Sequence, residues 1–356
     1  QNTIQENGHD VEIIDYRPIS ERSFATQIIK YGHQALCRMR FGHSMNGRFE
    51  QFRKALLLRS KACRNLVDLA KIINDYDAVV VGSDQVWNRS YPFVTLAYFL
   101  DEKLEYKGRK ISYAACCGHN NMPKSEIARI KANLLAFDHI SVRNQVTFDW
   151  VKSLTGVTSD IVCDPSLFQD LSGVCSSRKL PYEKYILISV LGASISGGFT
   201  AAINEIRKIH GVHPVVVVPT QSFRFQSYVF ADYVFWEAGP QDWIELIKHS
   251  VFVLTDSFHA TIYSIKYRVP FLAYYTESIR SHRLLDAARR FGVENSVAKS
   301  VQDAASRNGF AGSIDFDAAT EAINSFQNHS ITFLIHALDD HGTNPSCTDA
   351  DLTSNA

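Results

Sequence analysis

The chain has 356 residues, 46% of them apolar and 21% charged, a globular balance that excludes a disordered chain and leaves room for two domains. Lys plus Arg and Asp plus Glu both total 37, so no net field selects a nucleic acid. Seven cysteines, none spaced C-x-x-C, argue against a disulfide framework or a zinc site and for a reducing, cytoplasmic compartment.

QNTIQENGHDVEIIDY reads as the last turns of a helix, a stop at Gly8 and a first strand over 11–16. With a helix ending so early, at least one N-terminal strand is expected to be missing from this chain. Residues 20–74 are mostly helical in pattern. Within 17–65, eleven Lys or Arg face only Glu21 and Glu50, a composition that fits solvated helix faces or a peripheral contact with a membrane surface. No apolar run reaches the ~20 residues a membrane helix needs, and no signal peptide is evident.

From residue 76 short apolar strands alternate with amphipathic helices: strands at 78–81, 110–114, 139–142 and 160–163, helices at 124–138 and 145–154. Such alternation predicts parallel βαβ units. Asp164-Pro165-Ser166 and the polar stretch DLSGVCSSRKLPYEK (170–184) end the series. It resumes with strands at 185–190, 215–218, 251–254 and 271–274, and with helices at 199–210, 241–249, from about 257, and at 281–291. A helix near 318–328 and an apolar segment at 331–338 follow. The expected architecture is α/β, two Rossmann-like domains facing a cleft. The first spans 1–172, the second 180–338, and 339–356 is a disordered tail.

In open sheets of this kind ligands bind at the carboxyl ends of strands. Three strand ends carry the chemistry. VVVGSDQVWN (79–88) places Ser83, Asp84, Gln85, Trp87 and Asn88 together. Ser83 or Asp84 can cap a following helix. An indole beside amides and a carboxylate suits a sugar ring, although Trp87 could equally be wedged between domains. In TDSFHA, His259 opens a helix whose N-terminus favours anions, where a histidine can act as an acid. HISVRNQ puts Arg143 directly after a strand, where its planar fork can take a carboxylate or phosphate or pair with an acid such as Asp164. Arg280 and Arg283 lie just past a fourth strand end. No G-x-G-x-x-G, P-loop or H-E-x-x-H motif competes, and neither a metal nor a bound cofactor is expected.

VVVGSDQVWN, then YFLD, KISYAA, ISVR, IVCDPSL, GPQDWIELI, VLTDSFHATIYSI and VPF resemble the polysaccharide pyruvyl transferase family, in order, from about residue 8 to 295. The resemblance implies a glycosyltransferase-B-like fold and transfer of a pyruvyl group from phosphoenolpyruvate, as co-substrate, to a sugar or lipid-linked saccharide, forming a cyclic ketal. It implies catalytic roles for His259 and Arg143. Arg143, Ser257, Phe258, His259, Arg283 and its rival Arg280 would hold the donor. Ser83, Asp84, Gln85, Trp87 and Asn88 would hold the acceptor. From chemistry alone, Asp84 could take a hydroxyl proton. The family's opening strand and Asn-Tyr-Gly turn are absent here. A nucleotide-sugar-dependent glycosyltransferase and a non-catalytic sugar-binding relative are the competing expectations.

Overall fold

The computed structural model describes residues 1–18, 39, 45–91, 94–118, 122–168, 178–191, 194–219, 228–276 and 278–340, apart from the side chains of residues 56 and 278–280. Strands β1 (Ala78–Asp84), β2 (Arg109–Ala115), β3 (His139–Val142) and β4 (Asp160–Ile161) pair in parallel in that order. Strands β5 (Ile186–Val190), β6 (Val215–Pro219), β7 (Tyr233–Val234), β8 (Phe252–Thr255), β9 (Phe271–Tyr274) and β10 (Val297–Ala298) make a second parallel sheet, ordered β10-β9-β8-β5-β6-β7. The principal helices are α1 (Met45–Leu56), α2 (Ile127–Leu135), α3 (Gln145–Thr155), α4 (Phe199–His210), α5 (Pro240–Lys248), α6 (Phe258–Lys266), α7 (Ser278–Phe291) and α8 (Phe316–Asp339).

The unbroken apolar runs in the second sheet follow from its two covered faces. Leu187, Val216, Val253 and Phe271 pack on one side with Leu246, Ile262 and Leu284 of α5, α6 and α7. Their neighbours Ile186, Val217, Phe252 and Leu272 pack on the other side with Ile203 and Ile206 of α4. In the first sheet Val79, Val81, Ile140 and Val142 meet Ile130 and Leu134 of α2 and Val151 of α3. The opposite face, Ile111, Tyr113 and Val162, is closed by Leu334, Ala337 and Leu338 of α8. The last helix therefore crosses back from the second sheet to cover the first.

Several expectations change. Residues 11–16 make only isolated parallel bridges, Ile13 to Arg59 and Tyr16 to Cys63, rather than a sheet strand. The expected helix at 318–328 and the apolar segment at 331–338 are one continuous α8. Two-residue β7 and β10 were not anticipated, being too short to show a period. Residues 20–38 of the basic stretch and the tail from 341 lie outside the described residues. Among the described residues, no helix is long and apolar enough to cross a membrane.

From β5 the chain runs to one edge through β6 and β7 and to the other through β8, β9 and β10. The order reverses between β5 and β8, so the crevice for a ligand opens at their carboxyl ends. There Thr255 donates its hydroxyl to the Ser189 carbonyl at 2.7 Å. The Leu191 amide donates to Asp256 at 2.5 Å. The loop that carries Ser257 and His259 is thereby tied to the sheet.

Candidate active site

Arg143 follows β3 and its side chain is only 2% exposed. Its Nη1 donates to Asp164 Oδ2 at 2.7 Å and its Nη2 to Asp84 Oδ1 at 2.9 Å. The Phe258 ring lies 4.8 Å from its Cζ, a cation–π contact brought in by the second half of the chain. The suggested ion pair with Asp164 is present, and so is a place at the crevice.

Asp164 is buried, and its Oδ1 accepts the Ser166 amide at 3.0 Å, capping the short turn Pro165–Leu167. His259 Nε2 stands 3.7 Å from Asp164 Oδ2. One carboxylate thus touches a guanidinium from the first sheet and an imidazole from α6. Burial pushes the Asp164 carboxyl up, but His259 and Arg143 outweigh that and hold it well below the usual carboxylate range.

His259 is the second residue of α6 and its side chain is 40% exposed. The preceding Ser257 is buried, its Oγ accepting the Ala260 amide at 3.3 Å as the helix cap. Its own amide donates to Thr255 Oγ1 at 3.0 Å. Ser257 therefore shapes the helix start, with its hydroxyl already engaged.

Arg283, on α7, is half-buried. Burial and the neighbouring Arg143 charge both lower its pKa. No described carboxylate lies within ion-pair reach of it. What faces it is the Gln85 amide, whose oxygen, turned toward the guanidinium, accepts at 3.0 and 3.1 Å. That orientation is favoured because a guanidinium can only donate. The other terminal atom of Gln85 sits 2.6 Å from the Asn88 amide nitrogen. Gly118, at φ +70°, packs under both amides, and a Cβ there would run into them. The side chain of Arg280 lies outside the described residues.

The GSDQVWN reading needs correction. No helix follows β1; the chain enters turns at residues 85–90, so neither Ser83 nor Asp84 is a helix cap. Asp84, with φ 72° and a side chain 57% exposed, instead reaches Arg143. Trp87 is no platform for a sugar. It is fully buried in the first domain's own core, stacked on Phe99 at 5.7 Å, and its indole donates to the Tyr98 carbonyl at 2.8 Å. Asn88 is buried as well, accepting the Ser90 amide at 3.1 Å. Ser83 is half-buried beside Asp84.

Asp164 is legible as a partner for Arg143, but its second contact, to His259, depends on two domains meeting. Asp286 lines the same cavity as Arg143, Asp164, Phe258 and Arg283. Burial raises its pKa against the pull of Arg290 and Arg289. Its place, one turn after Arg283 on the same face of α7, is the signal that could have found it.

The architecture matches solved structures. A UDP-N-acetylglucosamine 2-epimerase from Rickettsia bellii aligns with TM-score 0.51 and 8% identity over 94% of this chain and 97% of that one. Anabaena Alr3699/HepE, solved with UDP and glucose, aligns with TM-score 0.51 and 10% identity over 92% and 100%. At such identities the likeness concerns the fold, two Rossmann-like domains about a cleft. No curated protein sequence matches the chain. The sequence profile for polysaccharide pyruvyl transferase covers residues 1–278, and the chain belongs to the polysaccharide pyruvyl transferase family.

Proposed function

We propose that the protein transfers a pyruvyl group from phosphoenolpyruvate to two hydroxyls of a sugar destined for a cell-surface polysaccharide or exopolysaccharide, free or lipid-linked. The observation that carries this reading is that Arg143, from the first sheet, and Arg283, from the second half, line one cavity with Asp164, whose carboxylate His259 Nε2 approaches to 3.7 Å. A small, doubly ionised donor is what two guanidiniums, an imidazole and a helix N-terminus suit.

In this mechanism Arg143 and Arg283 neutralise the donor's carboxylate and phosphate. The donor's methylene carbon takes a proton and becomes a methyl group, leaving an oxocarbenium-like centre. One sugar hydroxyl adds to that centre and loses its proton to Asp84, an exposed carboxylate held against Arg143. The C–O bond to phosphate breaks, and His259 gives the departing phosphate a proton. The second hydroxyl closes the ketal and its proton restores His259, while the first hydroxyl's proton replaces the one taken up by the methylene carbon, so the balance is donor plus diol to ketal plus inorganic phosphate. Cations fixed around a water-poor site act on developing charge without reorganising.

Replacing His259 by Gln or Ala and measuring phosphate release with a sugar acceptor tests the acid role. A loss of about 100-fold to 10,000-fold in kcat is expected for a general acid; unchanged turnover rules the role out. Calorimetry of the wild type with phosphoenolpyruvate and, separately, UDP-glucose separates this reading from a nucleotide-sugar transferase. Heat from UDP-glucose alone would overturn the donor assignment.

A further inference from the structure

Arg143 can grip an external anion only if something lets go of it. Its side chain is 2% exposed. Phe258 covers one face of the guanidinium, and Nη1 is committed to Asp164. Asp164 is itself 3% exposed and tied to the Ser166 amide and to His259, so it cannot yield cheaply. Nη2 is held by Asp84. Asp84 differs in every relevant respect: its carboxylate is 57% exposed, Arg143 is its partner, and no helix follows to fix it. Among the described residues, the adjacent buried Nε of Arg143 has no partner. The Nε–Nη2 edge, the edge a carboxylate or phosphate takes in a bidentate pair, therefore has one position unfilled and the other filled by the chain's own acid.

We infer that Asp84 is an internal anion occupying the donor subsite on Arg143, displaced by the phosphate or carboxylate of the incoming donor. This rests on the donor assignment above and adds an order of events to it. While the donor is absent, Asp84 neutralises Arg143 and holds the GSDQVWN turn inward. When the donor binds, the Asp84 carboxylate is released toward the open side of the cleft, where an acceptor hydroxyl can use it. The donor then binds first and prepares the acceptor side. Arg283, whose facing partner is a neutral amide, gives the donor its initial landing point without competition.

Calorimetric titration of phosphoenolpyruvate, with inorganic phosphate as a second probe, into wild type, Asp84→Asn and Asp286→Asn tests the inference. Asparagine suits position 84 because it tolerates a positive φ and removes only the charge. Asp286→Asn removes one negative charge from the same cavity without touching a contact to Arg143. Freeing Arg143 from a charge-assisted bond is expected to tighten binding about tenfold in Asp84→Asn. Asp286→Asn should stay within about twofold of wild type, because Asp286 holds neither nitrogen of the Arg143 edge. Equal gains in both variants would mean a general field effect and overturn the inference. So would unchanged affinity in Asp84→Asn while wild type binds the donor; in that case the donor assignment survives. If neither wild type nor Asp84→Asn binds phosphoenolpyruvate, the donor assignment falls and the inference with it.

Discussion

Asp164 shows how one buried carboxylate can serve two domains. It accepts from Arg143 at 2.7 Å and stands 3.7 Å from His259 Nε2, so it neutralises one cation and orients the other. Among the described residues, His259 Nδ1 has no partner, which leaves that nitrogen for a ligand. Asp164→Asn keeps the shape and removes the charge, leaving Arg143 half-compensated in a buried site. Breaking such a pair costs about 3–5 kcal/mol. The pH dependence follows from the depressed carboxyl. The stabilisation is complete above the ordinary carboxylate value of about 3.9 and fades as pH falls through the lower folded value. The gap in urea midpoint between wild type and Asp164→Asn should be flat from about pH 5 to 8 and narrow below about pH 4. A gap that grew on acidification would contradict the assignment. Residues whose chemistry announces itself at a strand end, Arg143 and His259, were legible in the sequence. The position of Trp87 was not, because the side-chain types that make a sugar platform also make a core edge, and only burial separates them. Nor was Asp164's second partner, which comes from another domain 95 residues on.

At the scale of elements, legibility tracked burial symmetry. Strands covered on both faces, such as β5, β6, β8 and β9, are buried throughout and mostly apolar, and read to within a residue or two. Helices with one apolar stripe, α3 and α4, did likewise. The exceptions are elements too short for a period, β7 and β10, the expected strand at 11–16, which makes only isolated bridges, and α8, which the sequence divides into a helix near 318–328 and an apolar segment at 331–338. The helix continues because the Ser330 hydroxyl is used twice within the core. It donates to the Phe326 carbonyl at 2.6 Å and accepts the Cys163 amide at 2.8 Å. The polar residue is thus a cross-domain tie on a continuous helix. Ser330→Ala strands the Cys163 amide in a buried setting, which should lower stability by about 1–3 kcal/mol. A urea midpoint unchanged in that variant, with unaltered m-value, would show that another group satisfies the amide.

For the whole molecule, the two sheets are bound less by the active-site contacts than by α8. Its first half packs Ala319 and Ile323 into the second sheet's core, and its second half packs Leu334, Ala337 and Leu338 onto the first sheet. The cleft contacts combine polar, partly exposed pairs, His259 with Asp164 and Arg283 with Gln85, with the buried packing of Phe258 on Arg143. This division leaves the polar rim on one side of the molecule and the apolar packing of α8 joining the two sheets. It also fixes how the protein should melt. With α8 shared between the cores, neither lobe can lose its packing without exposing part of the other, so wild type is expected to unfold in one calorimetric transition. Truncating Leu334 and Leu338 to Ala removes the part of α8 that seals the first sheet. Each such deletion in a core typically costs about 2–5 kcal/mol. The double variant should therefore unfold in two steps, the first lobe melting earlier and the second near the wild-type temperature. A single transition shifted down as a whole would mean that the cleft contacts, not α8, couple the lobes.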